Sequence, residues 1–579
     1  MNLTKKNLKL GKYESGFAKA LIKLDKNNIV QRIWERDPTV WKTGIEYDGL
    51  IKNRLGWLSL PVTMKKNCDE IISFADELRN EGFEYAVVLG MGGSSMCPEV
   101  CRETFGVRDG YLKLFVLDST DPKTIINIEN SVDLKKTVFI VSSKSGGTIE
   151  VDSFFRYFFD KVKAIDPENA GKHFAAVTDP DTLLQSIAKE NNFRKIFTNP
   201  ANIGGRYSAL SYFGLVPAAL IGINIKKLLG NAVEMMNNCM QLEAVKNYGL
   251  IIGTIAGELS KKRSKRNKLT FILPDRIKSF GYWAEQLIAE STGKEGKGII
   301  PVEGEDTDKP SEYSNDRMFV YMKLGKEKKA VKNSLRSLAK NNFPVIVLEL
   351  NDVYDLGGQF YLWEFATAVM GCILEINPFD EPNVKESKDN TGEVLKFYET
   401  EKKLPETIPN ATEDNLSLFI EEKSFKKKLP KSKKLSKWIL KDYLDFFFKQ
   451  KKKGDYIAVM AYIESNDANN ELLKKIRELL KSKLKAATTV GFGPRFLHST
   501  GQLHKGGANN GMFIQIVGED KVDATIPGKP YSFSILKQSQ AIGDYESLLK
   551  HSRRTLKINI GWDEKKGLKD LYNELKKVL

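Results

Sequence analysis

The chain has 579 residues, 41% hydrophobic and 10% aromatic, which excludes wholesale disorder and is too much for one core. At roughly 150 residues per domain, about three or four units are expected. The formal charge of +16 raises nucleic acid as a partner, but much of the excess lies in residues 423–453, where lysines cluster without arginine, zinc-finger spacing or an aromatic RNA-binding motif; a solvated lysine-rich face with no specific nucleic acid is the expectation.

The polar N-terminus, MNLTKKNLKLGKYESG, shows no apolar core of a secretory signal. Residues 1–60 read as a helical lead-in. From 61 to 245, short β-branched runs alternate with longer amphipathic segments: YAVVL at 85–89, LFVL at 114–117, VFIV at 138–141 and FAAV at 174–177. Such alternation implies a parallel sheet covered on both faces. Residues 246–390 repeat the pattern, with LTFIL at 269–273, MFVYM at 318–322 and VIVL at 345–348. A helical, charged connection is expected over 391–452, then a smaller α/β region over 453–579 with strands at 456–462, 512–517 and 556–560. The fold class is therefore α/β, with two doubly wound parallel-sheet domains and a C-terminal α/β region.

Two apolar stretches, 207–225 and 360–376, are diluted by polar residues and Glu364 respectively, and read as buried helices rather than membrane spans. The five cysteines, Cys68, Cys97, Cys101, Cys239 and Cys372, lack zinc spacing, so no metal is expected and reduced thiols in a cytoplasm fit.

Two loops sit where open parallel sheets bind ligands, beyond the carboxyl ends of strands. GMGGSS (90–95) follows YAVVL, and SSKSGGT (142–148) follows VFIV. Glycines let backbone N–H groups approach an anion, hydroxyls donate to it, and a helix N-terminus adds positive potential. Helix capping and chain turning are the bland alternatives. GMGGSS also invites a dinucleotide reading, but only Asp118 offers the acidic partner, weakly, and no Gly-Lys-Ser/Thr ending is present. Two hydroxyl-rich loops on one sheet point to a single phosphate, such as that of a sugar phosphate.

Four segments in consistent order make the chain resemble glucose-6-phosphate isomerases, which are built from sugar-isomerase (SIS) domains: GMGGSS, SSKSGGT, GGRYSALS (204–211) and QLIAESTGK (286–294). NPFDEPNVKESK (377–388) resembles the family's lysine-bearing segment. RIWERDPTVW, NRLGWL and GPRFLHSTGQLHKGG further resemble the isomerase half of bifunctional transaldolase/isomerases, over nearly the whole chain. No room is left for a complete transaldolase barrel, so isomerase activity alone is expected.

The resemblance implies interconversion of glucose 6-phosphate and fructose 6-phosphate in glycolysis and gluconeogenesis, through an enediol(ate), with no cofactor. It assigns Glu290 as the base, Arg206 as the enediolate's partner, and Lys388 to ring opening. His498 is assigned to ring opening or the C5 hydroxyl. Gly93, Ser94, Ser143, Lys144, Ser145 and Thr148 would hold the phosphate, and Gln286 the sugar. Where the family usually carries glutamine this chain has Glu381, which would change the local charge, for instance by pairing with Lys388. His498 follows the lysine segment instead of preceding it, so its region would have to reach its own site or that of a second copy; the family commonly forms homodimers. A silent SIS-type sugar-phosphate sensor and an isomerase also using mannose 6-phosphate stand as alternatives. The joint presence of Glu290, Arg206 and Lys388 argues against the sensor, which needs no proton-transfer base.

Overall fold

A computed structural model describes residues 3–421 and 438–579. The reading of 423–453 as a lysine-rich face therefore falls partly outside the described residues. The chain forms two compact units: Met1–Asp118, Ile128–Pro310 and Asn315–Glu381 make the first, and Ser119–Asn127, Ser311–Ser314 and Pro382–Leu579 the second.

The first unit holds two sheets. Strand β1 (Leu8–Lys9) is short. Strands β2 (Tyr85–Gly90), β3 (Lys113–Leu117), β4 (Thr137–Ser142), β5 (Phe174–Thr178) and β6 (Lys195–Thr198) form a wholly parallel sheet in the order β3-β2-β4-β5-β6. Its middle strands are buried along their lengths, as parallel strands flanked by helices on both faces must be. Strands β7 (Lys268–Ile272), β8 (Ile300–Val302), β9 (Arg317–Leu324) and β10 (Val345–Leu350) make the second sheet, in the order β1-β10-β9-β7-β8, with only β1 antiparallel.

The apolar stretches are core helices of this unit. Every residue of Tyr212–Leu220 is buried, as is nearly all of Leu356–Leu374. Among the described residues no helix is long and apolar enough to cross a membrane.

The second unit has its own sheet and core. Strands β11 (Ala411–Glu413), β12 (Leu416–Phe419), β13 (Tyr456–Tyr462), β14 (Ala487–Phe492), β15 (Gly511–Val517) and β16 (Arg554–Asn559) run in the order β11-β12-β16-β15-β13-β14. The last four in sequence are mutually parallel, and the hairpin β11–β12 joins antiparallel to β16. That hairpin occupies ground read from sequence as a helical connection. Its strands are only three and four residues long, β11 half-buried or exposed and β12 alternating buried and half-buried, so neither forms an apolar run.

Candidate active site

Pairing of Leu89 with Val141 and Gly90 with Ser142 makes β2 and β4 end side by side, so both hydroxyl loops leave the sheet together. After β2 the chain makes the turn Gly92–Ser94. A Cβ on Gly93 would lie 2.0 Å from the Gly205 carbonyl oxygen, so only glycine lets this loop press against the Gly204-Gly205-Arg206 segment. Ser94 is buried there.

After β4, Gly146 has φ +68°, and a Cβ there would meet Thr182 at 2.7 Å. The turn brings the Ser143 and Thr148 hydroxyls within 3.0 Å of each other, and the Gly146 N–H donates to Ser143 Oγ at 3.1 Å. Thr148 stands at the N-cap of helix Ile149–Ile165, yet its side chain does not cap it. The hydroxyl thus faces the loop and not the helix amides, which weighs against simple capping. Ser145 is exposed at the loop tip. Lys144 is drawn back, with Nζ bonded to Asp179 Oδ2 and 3.4 Å from the Ala201 carbonyl. Burial pushes the Asp179 carboxyl up, against the pull of Lys144, Asn199 and Arg54.

Arg206 is 2% exposed and fully engaged. Its Nε donates to Ser291 Oγ at 2.7 Å, and its two terminal nitrogens reach Glu381 Oε2 at 3.0 Å, Pro378 O at 2.8 Å and Asp380 O at 2.9 Å. Glu290 Oε1 is 3.2 Å from the same guanidinium. Burial alone would lower the arginine's pKa, but Glu290 and Glu381 raise it above its ordinary value.

Glu290 lies on helix Phe280–Thr292, one turn after Gln286, whose Nε2 donates to Glu290 Oε2 at 3.3 Å. Each carboxylate oxygen thus has one partner and lone pairs to spare. Burial raises the Glu290 pKa; Arg206 and Lys294 oppose the rise, and Glu381 adds to it. Glu381 moves the other way: burial notwithstanding, Arg206, Lys294 and Arg54 hold it below the usual range. Two neighbouring carboxylates are so driven apart, one poised as a base and one kept ionised. The partner of Glu381 is Arg206, 175 residues distant in sequence, and not the Lys388 that its position suggested.

Lys294 is a member of this cluster that the sequence reading passed over, though it ends the quoted QLIAESTGK. Its buried Nζ bonds the Asp380 carbonyl and, at 2.7 Å, Asp380 Oδ1. Burial and the adjacent Arg206 lower its pKa to about 8, despite Asp380 and Glu381. Asp380 therefore receives Arg206 and Lys294 together and ties the NPFDEP segment to the helix bearing Glu290.

Lys388 and His498 belong to the second unit. Lys388 is exposed on helix Pro382–Glu401, and half-buried His498 ends the turn Arg495–His498. Their segments are joined within that unit. The Asn383 N–H donates to Gln502 Oε1 at 2.8 Å, and Gln502 Nε2 donates to Asn383 Oδ1 at 2.9 Å. The histidine stretch, displaced in sequence, is thus returned to the start of the lysine helix. Among the described residues no group of three His, Cys, Asp or Glu side chains could hold a metal ion.

The family described as phosphoglucose isomerase matches residues 60–304. The glucose-6-phosphate isomerase of Carboxydothermus hydrogenoformans is 30% identical over 414 residues, covering 62% of this chain and 88% of its own. The probable glucose-6-phosphate isomerase of Methanococcus maripaludis is 28% identical over 370 residues, 57% of this chain and 83% of its own. Among solved structures, a glucose-6-phosphate isomerase from Chlamydia trachomatis is similar in fold, with TM-score 0.50 and 18% identity over 65% of this chain and 79% of that one.

Proposed function

The chain belongs to the phosphoglucose isomerase family and interconverts D-glucose 6-phosphate and D-fructose 6-phosphate; we propose that Glu290 carries the proton and Arg206 meets the charge this transfer creates. The observation that supports these roles is a buried carboxylate, raised in pKa, 3.2 Å from a guanidinium that the protein itself holds rigid.

In the open-chain aldose, Glu290 removes the proton from C2, and electrons move onto the carbonyl oxygen at C1 to form the enediolate. The same carboxylic acid returns the proton to C1, while the C2 hydroxyl passes its proton to the O1 oxyanion and becomes the ketone. A base whose pKa lies above that of an ordinary glutamate takes and releases the proton at lower cost. Arg206, already desolvated and oriented, needs no reorganisation to receive the developing negative charge. The hydroxyls of Ser94, Ser143, Ser145 and Thr148, with Lys144, anchor the 6-phosphate, and Gln286 positions the sugar chain beside Glu290. Lys388 and His498 serve ring opening in this proposal. The family relationship extends the reading to a cytoplasmic homodimer, which a monomeric mass in light scattering would remove.

The direct test is a coupled assay of purified protein on fructose 6-phosphate, with and without a chelator. Turnover that survives chelation is expected; binding without turnover would leave only a sensor.

Two further results follow from the geometry. Thr148→Val removes one of the paired loop hydroxyls, so KM for fructose 6-phosphate should rise about five- to tenfold with little change in kcat. An unchanged KM would mean that the loop merely turns the chain. For Lys294, deprotonation above pH about 8 removes the charge that grips Asp380 and loosens the segment holding Arg206. The pH profile of kcat/KM should accordingly fall on its alkaline side near pH 8, and Lys294→Arg, which stays charged, should move that limb upward. A limb that stays in place in the variant would assign it to another group.

A further inference from the structure

The 6-phosphate is a dianion, and the three named cations of the first unit are already committed. Lys144 is held by Asp179, Lys294 by Asp380, and Arg206 by Glu290 and Glu381. The hydroxyl loops add only neutral donors, and the surrounding carboxylates repel the ligand. These groups alone offer the dianion no free cation.

Arg54 differs from all three. It lies in NRLGWL, a segment whose tie to the site appears only in the fold. Leu55 forms an isolated antiparallel bridge with Ile203, and the Gly56 N–H donates to Asn202 O at 2.8 Å. These bonds pin Arg54 alongside the residues that lead into Gly204-Gly205-Arg206. The Arg54 side chain runs beside this loop: a Cβ on Gly204 would be 3.9 Å from Arg54 Cδ. Its charge acts on both Asp179, the partner of Lys144, and Glu381, the partner of Arg206. The side chain is only partly buried, and its guanidinium makes no hydrogen bond or ion pair with any described residue.

We propose that Arg54 is a substrate-binding residue, its uncommitted guanidinium receiving the 6-phosphate dianion beside the Ser143–Thr148 loop. The planar fork matches two phosphate oxygens at once, which a hydroxyl or a retracted lysine cannot do. Arg54 would then set the preference for phosphorylated over free sugars, while Glu290 and Arg206 handle the reacting carbons.

This inference rests on the isomerase reading, and the test separates the two. KM and kcat for fructose 6-phosphate, and the inhibition constant for inorganic phosphate, are measured for the unaltered protein, Arg54→Gln and Arg54→Lys. Circular dichroism confirms folding, and the lysine variant retains a charge should glutamine prove disruptive. The glutamine variant should show KM and the phosphate inhibition constant raised together, about 10- to 100-fold, with kcat nearly unchanged. Lysine should restore part of the loss, because the charge returns without the fork. Unchanged KM and phosphate inhibition would overturn the assignment, as would a fall in kcat at constant KM, which would place Arg54 at the reacting carbons. Absence of turnover in the unaltered protein would instead overturn the isomerase reading.

Discussion

Glu290→Gln is expected to lower kcat for fructose 6-phosphate by about 10²- to 10⁴-fold, with KM changed far less. Glutamine retains the shape and can still take part in hydrogen bonds with Gln286 and Arg206, but it cannot accept the C2 proton. The same variant should be at least as stable as the parent at neutral pH. Burial raises the carboxyl's pKa in the folded state, so its stabilising contribution is present at low pH and lost as pH rises through that value. Glutamine does not titrate, and Arg206 keeps Glu381 as its anionic partner. Thermal melts at neutral and acidic pH should therefore show the variant's relative advantage shrinking as pH falls. A variant of comparable kcat would remove Glu290 as the base, whatever its stability.

The strands visible in sequence were those buried in the middle of sheets, together with one edge strand, β3. YAVVL, VFIV and FAAV are apolar without interruption because helices cover both faces. The strands that escaped notice, β1, β6, β8, β11 and β14, all lie at sheet edges, and β12 lies next to an edge. β6 is KIFT, with only Phe197 buried, β8 has three residues, and the six residues of β14, ATTVGF, are half polar or glycine. They carry too little apolar pattern to stand out from loops.

The candidate site was legible to a different extent. Spacing alone exposed the two hydroxyl loops, because a strand, a polar glycine-rich turn and a helix follow one another locally. Glu290 and Arg206 came from family likeness, since a helix glutamate and an arginine have no signature of their own. The ties between them are long-range: Arg206 meets Glu381 across 175 residues and Pro378 across 172. Lys294 was overlooked for a similar reason, because its meaning lies in Asp380, 86 residues away. In a chain with 90 lysines and arginines, charge type alone could not single it out.

Arg206 is where the largest combined loss of activity and stability is expected. Its guanidinium links the helix of Glu290, through Ser291, to the segment Pro378–Glu381, and it separates two carboxylates. Arg206→Met should cost about 3–5 kcal/mol of stability, because Glu290 and Glu381 would face each other without their shared cation and two backbone carbonyls would lose a donor. Chemical denaturation reads that loss. Arg206→Lys keeps a charge but has three donors on a flexible stem where five were held in a plane, so it cannot satisfy both carboxylates and both carbonyls together. It should fold, yet lose about 10²- to 10³-fold in kcat as the enediolate loses its oriented partner. The acid limb of its pH profile gives a further check. Arg206 is the foremost influence opposing the upward shift of Glu290, so weakening that contact lets the carboxyl rise further. More of the base is then protonated at a given pH, and the acid limb should move to higher pH than in the parent enzyme. A lysine variant with reduced kcat but an unmoved limb would separate the two roles: Arg206 would still serve the transition state, but it would not tune the base.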